Sequence, residues 1–148
     1  RLAGTAAPRP STAVPTAEGP AVGPATAGGL AALRELPGLD VEAGLRLALG
    51  REALYLRLLD RFLEGQAGAP AAITEALAAG DREQAQRLAH TLKGTAAQIG
   101  AETLRAKAEA LEQAIRHGEP AEVVQSRLDA AAATLAGLVT PMRESLSA

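Results

Sequence analysis

Two residues of this chain have the type and spacing for covalent chemistry: His90, and Lys93 three positions further on. A neutral imidazole is a competent nucleophile near pH 7, because its reference pKa is about 6.5. An ammonium one helical turn away can offset negative charge on whatever the imidazole attacks. Both lie in the run LAHTLKGTAAQIGA at residues 88–101. At about 100° per residue this run sorts onto two faces of a helix. Leu88, Leu92, Thr95, Ala96 and Ile99 fall on the side expected to be buried. His90, Lys93, Gly94, Ala97 and Gln98 fall on the other, with Gln86 and Arg87 one turn earlier. A mid-helix glycine such as Gly94 costs about 1 kcal/mol relative to alanine, so helix stability does not account for it. Small residues beside His90 leave the ring clear for the surface of another macromolecule.

The elements that must position this face are also helical. Asp81 is placed to cap the central helix, with Gln84 three residues later as a capping-box partner, and Gly100 is placed to stop it. Upstream, residues 30–36 allow a short helical turn. Asp40 reads as the N-cap of a short helix ending at Gly50, with Leu45 and Leu49 on its inner side. A helix over about residues 51–64 puts Leu54, Leu58, Leu59, Phe62 and Leu63 on one stripe, with Gly65 and Gly68 as breakers. Pro70 opens another helix, in which Ile73 and Leu77 face inward and Gly80 is the stop. Downstream, Leu104, Ala108, Leu111 and Ile115 mark a helix over about residues 101–116. Val124, Leu128, Ala131, Leu135 and Leu138 mark a last one, which Pro141 is expected to kink or terminate, although Met142 and Leu146 keep the spacing beyond. Connections of a few residues make neighbours antiparallel. The fold class expected is all-α: an antiparallel up-down four-helix bundle with a short additional N-terminal helix.

Composition agrees and excludes other classes. Of the 148 residues 47% are hydrophobic, yet there is one Phe, one Tyr and no Trp, so leucine and alanine must build the core. With no cysteine and only two histidines, 27 positions apart, neither a disulfide framework nor a structural zinc site is expected. A net charge of −2 offers no basic footprint for nucleic acid. No apolar run approaches the roughly 20 residues of a membrane span, and the chain reads as cytoplasmic. Residues 1–36, rich in Ala, Pro, Gly and Thr, read as a flexible linker, and residues 37–148 as the domain. A linker ahead of a domain, in a chain whose first residue is arginine, implies a further domain upstream in a longer polypeptide.

The pattern His90-x-Leu92-Lys93-Gly94, followed by Ile99-Gly100-Ala101, resembles the signature of histidine-containing phosphotransfer (HPt) domains. These are the four-helix-bundle relays of bacterial two-component phosphorelays. The likeness extends upstream to Tyr55, Leu58, Leu59 and Phe62 and to Ala79-Gly80-Asp81, and covers about residues 37–146. It implies that Nε2 of His90 accepts a phosphoryl group from a receiver-domain aspartate and passes it to another. Lys93 and Gln98 would attend the phosphoryl group, while Gln86, Arg87, Gly94 and Ala97 would meet the partner. The chain has no nucleotide-binding motif, so no autonomous ATP-dependent kinase activity is expected. It needs no cofactor of its own, and Mg2+ is expected on the partner receiver. The resemblance points to the C-terminal domain of a hybrid sensor histidine kinase, monomeric in isolation, its partners being receiver domains and its own upstream domain. Two other readings stand beside this one. One is a non-catalytic helical protein-interaction module. The other is the dimerisation and phosphoacceptor part of a histidine kinase, where an acidic residue usually follows the histidine; here Thr91 does.

Overall fold

A computed structural model describes residues 30–147, and every regular element among them is helical. After a helical turn at residues 30–34 come six helices: α1 (Val41–Leu47), α2 (Glu52–Gln66), α3 (Ala69–Ala78), α4 (Arg82–Ile99), α5 (Glu102–Arg116) and α6 (Ala121–Ser147). Gly65 does not break α2. Backbone at Ala67 stays right-handed helical, and at Gly68 it departs only modestly (φ −94°, ψ 6°), so α2 and α3 form one nearly continuous arm. Gly80, at φ +78°, turns the chain back into α4. The arm, α4, α5 and α6 are the four members of the bundle, with α4 packed most extensively on α5.

The core is leucine and alanine, as composition requires. Leu92, Ala96 and Ile99 of α4 join Tyr55, Leu59, Phe62, Leu104, Ala108, Leu135 and Met142 in one cluster. Ala85 and Ala89 of α4 join Ile73, Leu111, Ile115, Val124 and Leu128 in a second. The buried stripe of α2 is Tyr55, Leu59, Phe62 and Leu63; Leu54 and Leu58 are only half-buried at its margin, as Leu77 is in α3. Helix α6 runs on through Pro141 to Ser147, and Met142 beyond the proline is fully buried. Proline is tolerated because the apolar stripe continues past it. Leu30 and Leu33 lie in the first cluster, so packed structure begins ahead of the domain boundary expected at residue 37. The rest of the expected linker, residues 1–29, lies outside the described residues.

Helix α1 clasps the C-terminal end of α4. Asp40 caps α1 by accepting the Ala43 N–H at 3.1 Å. Its own N–H donates to the Gly100 carbonyl at 2.7 Å. The buried Tyr55 hydroxyl donates to the Ile99 carbonyl at 2.8 Å. Burial, reinforced by Asp40 and Glu42, pushes that phenol far above its ordinary pKa, so it stays protonated and remains a donor. Leu49 is not on an inner side. It sits at φ 59° and is 80% exposed, because the chain has already left α1 and turned toward Gly50.

Gly100 adopts φ +82°, and a Cβ there would run into the Asp40 carbonyl. Left-handed backbone alone costs an L-residue about 1–2 kcal/mol. Gly100→Ala is therefore expected to lower unfolding stability by about 2 kcal/mol or more, read as a lower urea midpoint. A midpoint equal to wild type would remove the clasp from the account.

Candidate functional site

Helix α4 begins as its sequence dictates. The Asp81 carboxylate accepts the Gln84 N–H at 3.0 Å. The reciprocal half of a capping box is missing, because the Gln84 side chain instead accepts from the Arg87 guanidinium at 3.0 and 3.2 Å. The helix ends in the left-handed Gly100, where Ala101 N–H reaches back to the Ala96 carbonyl at 2.9 Å. Between these ends the buried stripe is Ala85, Ala89, Leu92, Ala96 and Ile99. Leu88 and Thr95, expected inside, are half-buried at the edges, since Ala89 takes the inward position facing α5. The Thr95 hydroxyl donates back to the Thr91 and Leu92 carbonyls.

His90 stands on the outward side, its side chain 65% exposed. Gly94 is exposed, and a Cβ added to it would meet nothing within 4 Å. No packing among the described residues requires that glycine. Arg87 and Gln98 are exposed, while Gln86 and Ala97 are half-buried. Gln98 lies eight residues from His90, about 12 Å along the axis, so the helix does not bring these two together.

What the helix packing does bring to His90 is Glu112, on α5. Its side chain is 2% exposed, the one buried charged residue among those described. His90 Nδ1 lies 2.9 Å from Glu112 Oε2, and Lys93 Nζ lies 2.8 Å from Oε1. The Lys93 contact has the geometry of an ion pair more than of an aligned hydrogen bond. Arg116, one turn further along α5, donates to Oε2 at 3.1 Å. Three donors from two helices thus converge on one carboxylate. Burial pushes the Glu112 carboxyl up, but the contacts and charges of Lys93 and His90 outweigh it and hold the group below the usual carboxylate range. The site lies where the two core clusters meet, with Ala89 and Leu92 either side of His90, and Ala108 and Leu111 just before Glu112.

An ionised carboxylate can only accept, so the His90 nitrogen facing it must carry the proton. In neutral imidazole the second nitrogen, Nε2, then holds a free lone pair. The buried acid sets the tautomer and angle of an exposed imidazole. Lys93, by contrast, is only 26% exposed and already committed to Glu112, so it is not a free cation waiting beside the ring. Sequence reasoning missed Glu112 and Arg116. The signal was present: Glu112 falls in phase with Ala108, Leu111 and Ile115 on the inward stripe of α5, where an unpaired charge would be costly. Among the described residues no group of three or more His, Cys, Asp or Glu could hold a metal ion, and no helix is long and apolar enough to cross a membrane.

The described residues thus form a helical bundle with an exposed, carboxylate-oriented histidine in mid-helix. The family model of the Hpt domain matches residues 57–140, more than half of the chain, and takes in both α4 and α5. The chain belongs to the Hpt domain family, whose members carry out histidine phosphotransfer in phosphorelays and interact with receiver domains. No curated protein and no solved structure matches it.

A group whose folded-state pKa is depressed stabilises the fold above its unfolded value, here about 4.3, and loses that contribution as pH falls through the folded value. The stability advantage of wild type over Glu112→Gln should therefore be full near pH 7 and shrink progressively below about pH 5. Urea unfolding of both proteins across that range checks it. An offset that does not change with pH would mean Glu112 is not held ionised.

Proposed function

We propose that His90 is the phosphoacceptor of a phosphorelay intermediate, taking a phosphoryl group on Nε2 from a receiver-domain aspartyl phosphate and delivering it to the aspartate of another receiver. The observation that carries this reading is the 2.9 Å contact between His90 Nδ1 and the buried Glu112 carboxylate, on an otherwise exposed ring. The Nε2 lone pair attacks phosphorus and the acyl phosphate P–O bond breaks. Its electron pair leaves with the partner's carboxylate. No base is required, because Nδ1 keeps its proton and the ring becomes positive. Glu112 faces that new charge and stabilises it, as a carboxylate behind an imidazolium does in other group transfers. A ring that stays protonated also keeps the P–N bond labile, which a carrier needs for the second transfer.

Positioning and charge neutralisation carry most of the catalysis in phosphoryl transfer. Gly94 and Ala97 supply clearance for the receiver, and Arg87, Gln86 and Gln98 line the approach as docking contacts. Any Mg2+ belongs to the receiver's own acidic pocket. We place the domain at the C-terminal end of a hybrid sensor histidine kinase, on the cytoplasmic side and monomeric in isolation. A receiver carried on the same polypeptide would act at a raised effective concentration.

Incubation with a phosphorylated receiver should label wild type but not His90→Gln, and a second receiver should then remove the label. Equal labelling of both proteins would take His90 out of the role and leave a docking module. Gly94→Ala should raise helix stability by about 1 kcal/mol, whereas Gly94→Leu should slow transfer at least tenfold without loss of helicity. Circular dichroism and transfer rate on one sample test this pair; undiminished transfer by Gly94→Leu would show that no partner approaches there.

A further inference from the structure

The free site has an imbalance of charge that the phosphotransfer reading, on which this inference rests, leaves unexplained. Around one carboxylate stand two cationic side chains, Lys93 and Arg116, and the His90 ring, which can attack phosphorus only in its uncharged form. One positive charge is therefore in surplus. Lys93 is the more enclosed of the two cations, while the Arg116 side chain is 47% exposed, in the last turn of α5. Its one contact to Glu112 occupies a single NH2, leaving other donors of the planar guanidinium for a second partner. Glu112 Oε2 holds both Arg116 at 3.1 Å and His90 Nδ1 at 2.9 Å. Laid end to end, these distances put the guanidinium within about 6 Å of the ring.

We propose that Arg116 is a phosphoryl-binding residue, held on Glu112 in the free protein and turned onto the phosphoryl oxygens once His90 is phosphorylated. The exchange balances. Transfer adds a PO3 unit of one net negative charge, which cancels the surplus. When the P–N bond forms and Nδ1 keeps its proton, the ring becomes a cation already hydrogen-bonded to Glu112 Oε2. That cation replaces Arg116 as the carboxylate's partner, and the guanidinium is released beside a phosphoryl dianion. A fork of N–H donors matches phosphate oxygens in a way an ammonium does not. This role falls to Arg116 and not to Gln98, which sits two turns away on α4 and carries no charge.

The test needs no cognate receiver. Potassium phosphoramidate phosphorylates histidine directly, its P–N bond breaking with loss of ammonia. The full chain is treated with it, and mass spectrometry of wild type and His90→Gln locates the label. The Arg116 side-chain Nε–H signal is then followed by 15N NMR in the wild-type protein, and phosphohistidine half-life is measured in wild type, Arg116→Gln, Arg116→Lys and Arg105→Gln. Arg105 is an ordinary ion-paired arginine of the same helix and serves as the control. The Arg116 signal should move on phosphorylation. The half-life should fall about tenfold in Arg116→Gln, the loss of one charge-assisted hydrogen bond, less in Arg116→Lys, and not in Arg105→Gln. An Arg116 signal that stays in place, or an Arg116→Gln half-life within twofold of wild type, overturns the proposal while leaving His90 as acceptor. If wild type takes no more label than His90→Gln, the phosphotransfer reading falls, and this proposal with it.

Discussion

A carboxylate taken out of water and left alone would cost several kcal/mol, and Glu112 is almost completely enclosed. It is tolerated because α4 and α5 together surround it with His90, Lys93 and Arg116. The dependence runs both ways. Without Glu112 the His90 ring would have no partner to choose which nitrogen is protonated, and Lys93 would lose the contact that holds it. The chemistry of the exposed face is therefore set from inside the bundle. A slip of one turn between α4 and α5 would displace the carboxylate by about 5.4 Å and dissolve the arrangement.

The register of that helix pair is secured by small residues and by a pinned end. Ala85, Ala89 and Ala96 on α4 and Ala108 on α5 are fully buried, which lets the two backbones approach closely. At the far end α1 and α2 together clamp α4: Asp40, the cap of α1, donates to the Gly100 carbonyl, and Tyr55 of α2 donates to the Ile99 carbonyl, which would otherwise be orphaned at a helix terminus. The glycines of this region divide by cause. Gly100 meets a backbone constraint, and Gly44 leaves room for the Tyr55 ring and the Ile99 carbonyl. Gly94 meets no constraint from the described residues. The approach of a receiver proposed above would account for a helix giving up about 1 kcal/mol there.

Charge organises the same region at a finer level. Desolvation opposes ionisation of Glu112, and the cations oppose desolvation more strongly. The outcome is a carboxylate that remains an acceptor across the neutral range, so the histidine it orients keeps one tautomer. Placing the carboxylate on α5 and the imidazole on α4 makes the site a product of packing and not of either helix alone.

Much of this was legible in residue order. Helical periodicity, Asp40 and Asp81 as caps, Gly100 as a stop and the spacing of His90, Lys93 and Gly94 are local properties, decided by contacts a few residues apart. They determined an all-α bundle with an exposed imidazole in mid-helix. Where neighbours in space decided, residue order misled or stood divided: Leu88 and Thr95 moved to the edge, α2 ran through Gly65, and α6 ran through Pro141, following the spacing of Met142 and Leu146 beyond it. The inward phase of Glu112 was legible in α5, but its meeting with His90, 22 positions away, and the arrival of Arg116 on the same carboxylate belong to the tertiary structure alone. Periodicity tells which face of a helix turns inward, but not which residue of another helix it will meet there; that depends on the register of two helices, which only close packing of the whole core can set.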